Sequence, residues 1–255
     1  MRDDTLLRMR ATDAGFDRSL PSQASWLAFG AAGNQAVVWI AEEGATYVVS
    51  AAPASVAREI GNIYGVAPWS GDLPVGASAA WTCHNDAALD ALCRRISTLG
   101  EILPDQPLRR LELEVEAELV AAGGARTTER IVEVRQRVGQ NIYRYLLMKY
   151  WNGRCALTGV SESILLRASH AKPWKDCTDA ERLDVHNGLL LTIHLDTAFD
   201  AGLITIGEHG EVVPSSNLKQ VERRVLNVDS VALTMPLQDA HQPYMAWHRQ
   251  HVFLG

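Results

Sequence analysis

The sequence predicts an α+β protein in two parts: an N-terminal α+β module over 1–104 and a C-terminal domain over 129–255, joined by a linker helix over 105–128. Three observations predict this. Short β-prone runs in the first hundred residues alternate with segments of helical period. Pro104, Pro107 and the pair Gly123-Gly124 bracket an acidic stretch. Between Arg154 and Asp200, a strand-like run ending in a histidine is followed by a turn signal and then a helix bearing two aspartates.

In the N-terminal part, 26–29, 36–41 and 46–51 read as strands, with Glu42-Glu43-Gly44 as the turn between the last two. Ser55 can cap a helix to about Tyr64 in which Val56, Ile60, Ile63 and Tyr64 share a face. A strand over 77–83 leads to Asn85, an N-cap for a helix with Leu89, Leu92, Cys93 and Ile96 along one side. Trp26, Trp39, Trp69 and Trp81 read as core, with a pocket for a modified or flipped base as the functional alternative. Adjacent residues on a strand point to opposite faces, so Cys83 and His84 do not make a joint site. This half shows no glycine-rich phosphate loop and no nucleophile elbow; it reads as a specificity or binding module.

The bridging stretch reads as an acidic helix with Glu112, Glu114, Glu116 and Glu118 on a solvated face. Thr127-Thr128 then cap a long helix to Tyr150, with Ile131, Val134, Val138, Ile142, Tyr145 and Met148 as its apolar side. Arg130, Arg137 and Arg144 recur every seven residues on the polar side, a spacing that can follow phosphates or serve internal ion pairs.

With 47% hydrophobic residues, a chain of 255 can fill real cores. No apolar run approaches the roughly 18 residues of a membrane span, and Met1-Arg2-Asp3-Asp4 is unlike a secretory signal, so no membrane partner and a cytoplasmic location are expected. Cys83, Cys93, Cys155 and Cys177 form no C-x-x-C pair and read as reduced, buried thiols. The net charge of -6 is uneven: residues 1–129 hold 10 Lys+Arg against 17 Asp+Glu (-7), and residues 130–255 hold 14 against 13 (+1). The acidity thus belongs to the first half and does not forbid a basic strip in the second.

Within the organising stretch, 164–169 reads as a strand that presents His170 at its end, and Pro173-Trp174 forces the chain out of regular structure. Lys172 lies in the charged loop that follows, Asn187-Gly188 reads as a hairpin turn, and the apolar run from Leu189 leads into a helix. Asp196 and Asp200, four apart on that helix, share a face and suit a hard cation.

Five linked motifs carry a resemblance over 130–255. They are Arg137-Val138-Gly139-Gln140 with Tyr143-Arg144, Cys155-Ala156-Leu157-Thr158-Gly159, Ala168-Ser169-His170-Ala171-Lys172-Pro173-Trp174, Asn187-Gly188-Leu189-Leu190-Leu191 and Ala198-Phe199-Asp200-Ala201-Gly202-Leu203-Ile204. With the tail from Trp247 to Phe253, they resemble the HNH endonucleases with a ββα-metal finger, in the restriction-type branch that carries this domain at the C-terminus.

The resemblance implies a metal-dependent DNA endonuclease acting on double-stranded DNA, which can be modified DNA, and leaving 5′ phosphate and 3′ hydroxyl ends. A homodimer suits a cut on both strands. In that reading His170 is the general base, Asn187 orients it, and Asp196 with Asp200 holds a divalent ion, Mg²⁺ with Mn²⁺ as substitute. Arg130, Arg137, Arg144 and Lys172 are the DNA-binding candidates. The sequence departs from the family in two places: Ser169 precedes the base where a carboxylate ligand is common, and Asp196 stands where the last histidine falls, with His194 off that face. The paired C-x-x-C motifs of many relatives are missing, so no structural zinc is expected. Two other functions are open: a catalytically degenerate HNH fold that binds DNA without cutting it, and a Cys155-His170 hydrolase, which lacks an oxyanion-hole signature.

Overall fold

The computed structural model describes residues 4–64, 67–103, 106–123 and 127–255, without the side chains of 61–64. Pro104 and Gly124, and the side chains of Ile63 and Tyr64, therefore lie outside the described residues. The chain divides into two compact units, Met1–Leu103 and Pro104–Gly255.

The first unit runs α1 (Asp4–Asp13), β1 (Arg18–Gln23), β2 (Trp26–Gly30), β3 (Val37–Glu43), β4 (Thr46–Ala52), α2 (Ala54–Tyr64), β5 (Ala79–Cys83) and α3 (Asp86–Ile102). Its five strands form one antiparallel sheet in chain order. The β3–β4 hairpin closes on Gly44-Ala45, because Glu43 pairs with Thr46, and Gly44 supplies the positive φ of 64° that this turn needs. The strand therefore runs through Glu42 and Glu43, one step beyond the expected turn. Helices α2 and α3 pack on β4 and β5. Asn85 caps α3 by accepting from the Ala88 amide, and Leu89, Leu92, Cys93 and Ile96 are buried beneath it. Trp26, Trp39 and Trp81 are core residues, and Cys83 is buried while its neighbour His84 is exposed.

The second unit begins with α4 (Gln106–Ala122) and α5 (Thr128–Tyr150). The stretch expected to link two domains thus folds as α4, which buries Leu111, Val115 and Leu119 at i, i+4 and i+8 and packs along α5. Thr127 caps α5 through the Arg130 amide. Next come β6 (Leu166–His170), α6 (Asp179–Leu183), β7 (Gly188–Thr192), α7 (Ile193–Asp200), β8 (Ile204–Ile206), β9 (Val212–Pro214), α8 (Gln220–Leu226) and α9 (Gln242–His251). Strands β6 and β7 form an antiparallel pair that contacts both α5 and α7. With helices on both sides, every residue of β7 is buried, which accounts for the unbroken apolar run Leu189-Leu190-Leu191. Among the described residues, no helix is long and apolar enough to cross a membrane.

Candidate active site

Side-chain alternation along β6 divides the site. Ser169 points toward α7 and His170 toward α5, as strand geometry requires of neighbours.

On the α5 side, the His170 imidazole stacks on Tyr143 with ring centroids 3.7 Å apart and planes 22° apart. The edge of Trp174 closes a second side at 5.5 Å. Nε2 of His170 lies 3.0 Å from the carbonyl of Arg182, just inside the C-terminal end of α6. A carbonyl only accepts, so Nε2 carries the proton. Burial lowers the pKa of His170 to about 4, so at neutral pH the ring is uncharged and Nδ1 holds a free lone pair.

Asn187 is fully buried and serves as a staple for the long β6–β7 connection. Its Oδ1 accepts from the Lys172 amide at 2.9 Å, and its Nδ2 donates to the Glu181 carbonyl at 2.9 Å and to Cys177 Sγ at 3.2 Å. It reaches His170 at one remove, by holding the loop that offers the Arg182 carbonyl. The pair Asn187-Gly188 is not a hairpin turn. Gly188 opens β7 opposite His170, and the residues between them include α6. The glycine is there for space: a Cβ would collide with the Ser169 carbonyl and the Tyr143 hydroxyl.

On the α7 side, Ser169, only 1% exposed, donates from Oγ to Asp200 Oδ1 at 3.2 Å. Desolvation and then the charge of Asp196 push the Asp200 pKa up to about 6, and desolvation raises Asp196 as well. Two carboxylates on one helix face, each held above its usual range, form a site short of positive charge. His194 is exposed on the same helix.

At the far end of α7, His248 of α9 stacks on Phe199 at 3.7 Å, donates from Nε2 to the Phe199 carbonyl and accepts at Nδ1 from Thr205. The Asn187 loop is tied to α9 through Asp184, which accepts from His186 Nδ1 at 2.8 Å and from the Tyr244 hydroxyl at 2.9 Å.

A β-hairpin between two helices, with a neutral histidine at its rim and paired carboxylates on the following helix, is the geometry in which the comparison with known families falls into place. Residues 155–207 match the HNH endonuclease family. This HNH segment supports nuclease chemistry of the hydrolase class, with DNA as the substrate of that family. No curated protein matches the chain.

Within and around the HNH segment, the basic candidates are mostly engaged. Lys172 Nζ pairs with Glu181 at 2.6 Å. Arg144 spends its donors on the carbonyls of Leu166 and Ser163, which anchors the start of β6. Arg137 pairs with Glu118, and Arg130 stands half-buried in the first turn of α5. The four cysteines are free and buried, Cys155 among them.

HNH nucleases use a divalent metal. Among the described residues, no group of three or more His, Cys, Asp or Glu side chains converges in a way that could hold one. Asp196, Asp200 and the Ser169 hydroxyl are nevertheless oxygen donors of the kind that could hold a hard cation. The spacing of the sequence points to the two aspartates; Ser169, which stands where a carboxylate is common, sits at hydrogen-bond distance from Asp200. Two further contributors, Tyr143 and the Arg182 carbonyl, escape sequence reading. The first lies within a recognisable motif but outside the expected apolar stripe, and a main-chain carbonyl carries no residue signature.

Proposed function

We propose that this protein is a metal-dependent DNA endonuclease of the restriction type, with His170 as its general base. The observation that carries the reading is the hydrogen bond from His170 Nε2 to the Arg182 carbonyl, which leaves Nδ1 of a neutral imidazole available to take the proton of an attacking water. Asn187 holds the loop that supplies that carbonyl. Asp196 and Asp200, with Ser169, would hold a divalent ion such as Mg²⁺ or Mn²⁺, which when bound supplies positive charge to offset that developing on the scissile phosphate. Arg130 and Arg137, on the side of α5 away from its buried stripe, support contact with duplex DNA. The first unit, Met1–Leu103, is the specificity module, and the acting form is a homodimer that cuts both strands.

The test is cleavage of supercoiled plasmid with Mg²⁺ or Mn²⁺, with EDTA and His170→Ala as controls, on unmodified, methylated and hydroxymethylated DNA in parallel. Metal-dependent nicking lost in His170→Ala supports the reading. DNA binding without cleavage on every substrate replaces it with the non-cutting alternative.

A further inference from the structure

Helix α5 is shaped around the His170 ring to a degree that packing alone does not require. Gly139 and Tyr143 lie four apart and share one helix face, both buried. A glycine inside a helix is destabilising relative to alanine. Here a Cβ at 139 would stand 2.7 Å from Trp174 Cη2, so the glycine makes room for the indole that closes the edge of His170. One turn later, Tyr143 presents its ring face to the imidazole. Its hydroxyl continues past the ring and donates to the Asn187 carbonyl at 3.0 Å. That carbonyl also accepts from the amide of Ala171, the residue after His170, at 3.0 Å. Burial raises the phenol pKa well above its usual value, so the hydroxyl stays a donor. One side chain therefore touches the ring of His170, the main chain of Asn187 and the space left by Gly188.

We propose that Tyr143 is a positioning residue for the base: its ring is the plate that holds His170 with Nε2 on the Arg182 carbonyl, and its hydroxyl fixes the Asn187 end of the loop. The inference rests on the reading of His170 as the base. Without the plate, the imidazole can rotate and exchange the roles of its two nitrogens, and a misdirected base costs on the order of 100-fold in rate while leaving substrate binding intact.

The test uses the full chain with ring-¹⁵N histidine, in which His170→Ala assigns the His170 signals. Wild type is expected to show His170 protonated on Nε2, with ring protons shifted upfield by the Tyr143 face. Tyr143→Met, which keeps an apolar filling of similar length, is expected to show mixed tautomers and a kcat about 100-fold lower, with KM within about twofold. Tyr143→Phe restores the plate and is expected to keep the tautomer, with kcat down about threefold. The proposal is overturned if Tyr143→Met keeps one tautomer and a near wild-type kcat while His170→Ala is inactive. Should Tyr143→Met not fold, a wild-type spectrum with His170 protonated on Nδ1, or without the upfield shift, overturns it equally. Full activity in His170→Ala instead removes the base reading itself.

Discussion

The Ser169 hydroxyl donates to Asp200 across the gap between β6 and α7 at 3.2 Å, although serine is a poor ligand where HNH enzymes commonly carry a carboxylate. The residue thus belongs to the carboxylate cluster by position and falls short of it by charge.

Replacing it tests that position. Ser169→Asp places a third carboxylate beside Asp196 and Asp200. Without divalent ions the variant is expected to melt below wild type, through like-charge repulsion at a buried position. With Mn²⁺ it is expected to recover, and to bind the ion about tenfold tighter in calorimetric titration, because ligand charge tunes cation affinity. Unchanged affinity would show that Ser169 does not face the ion.

Asp200→Asn probes the same pair in the other direction. The folded-state pKa of Asp200, about 6, lies above the ordinary carboxylate value, so its ionised form costs stability, and that cost grows as pH rises through this range. Removing the charge is expected to stabilise the metal-free protein at pH 7.5 by less than ~1 kcal/mol, since solvent screens the exposed carboxylate. The variant is also expected to lose its thermal shift with Mn²⁺. A thermal shift equal to wild type would place the ion elsewhere.

Gly188→Ala is expected to destabilise the protein by ~2 kcal/mol or more, as overpacking against main chain does. The added methyl meets the Ser169 carbonyl, which has nowhere to retreat. Urea unfolding with a midpoint equal to wild type would contradict the space argument.

Histidine burial sets an acid limit. Burial depresses the pKa of His248 to about 4, so the unfolded chain takes up a proton that the folded chain refuses, and stability falls as pH drops from about 6.5 toward 4. His241, lowered to about 3 by burial, acts in the same direction. Between pH 7 and 5, His248→Gln is expected to lose ~2 kcal/mol less stability than wild type in urea titrations. Equal losses would show that His248 is protonated in the fold.

The legible parts of this protein are those whose residues act through their own local chemistry. Asn85 and Thr127 announce helix starts because capping depends on a few neighbouring residues, and Asp196 with Asp200 share a face because four residues make about one turn. Asn187-Gly188 misleads for the opposite reason. The dipeptide signals a tight turn through glycine's backbone freedom, whereas Gly188 is needed for the atoms that approach it from β6 and α5. Strand β1 is hard to read because it is a sheet edge whose register shifts around Pro21 and Ser22, with exposed and half-buried residues in place of an apolar alternation. The role of α4 is masked by four glutamates, Glu112, Glu114, Glu116 and Glu118, which draw the eye from the buried residues Leu111, Val115 and Leu119 interleaved with them.

The division of β6 between two faces has a consequence for how the protein fails. A peptide backbone separates the imidazole from the carboxylate pair, so damage on one side has no direct route to the other. In the proposed reading two kinds of inactive protein are expected: one that still captures a cation but has lost the proton acceptor, and one that keeps the acceptor but captures nothing. Mixed in the proposed homodimer, neither is expected to supply what the other lacks, because both proposed functions meet at one strand of one chain.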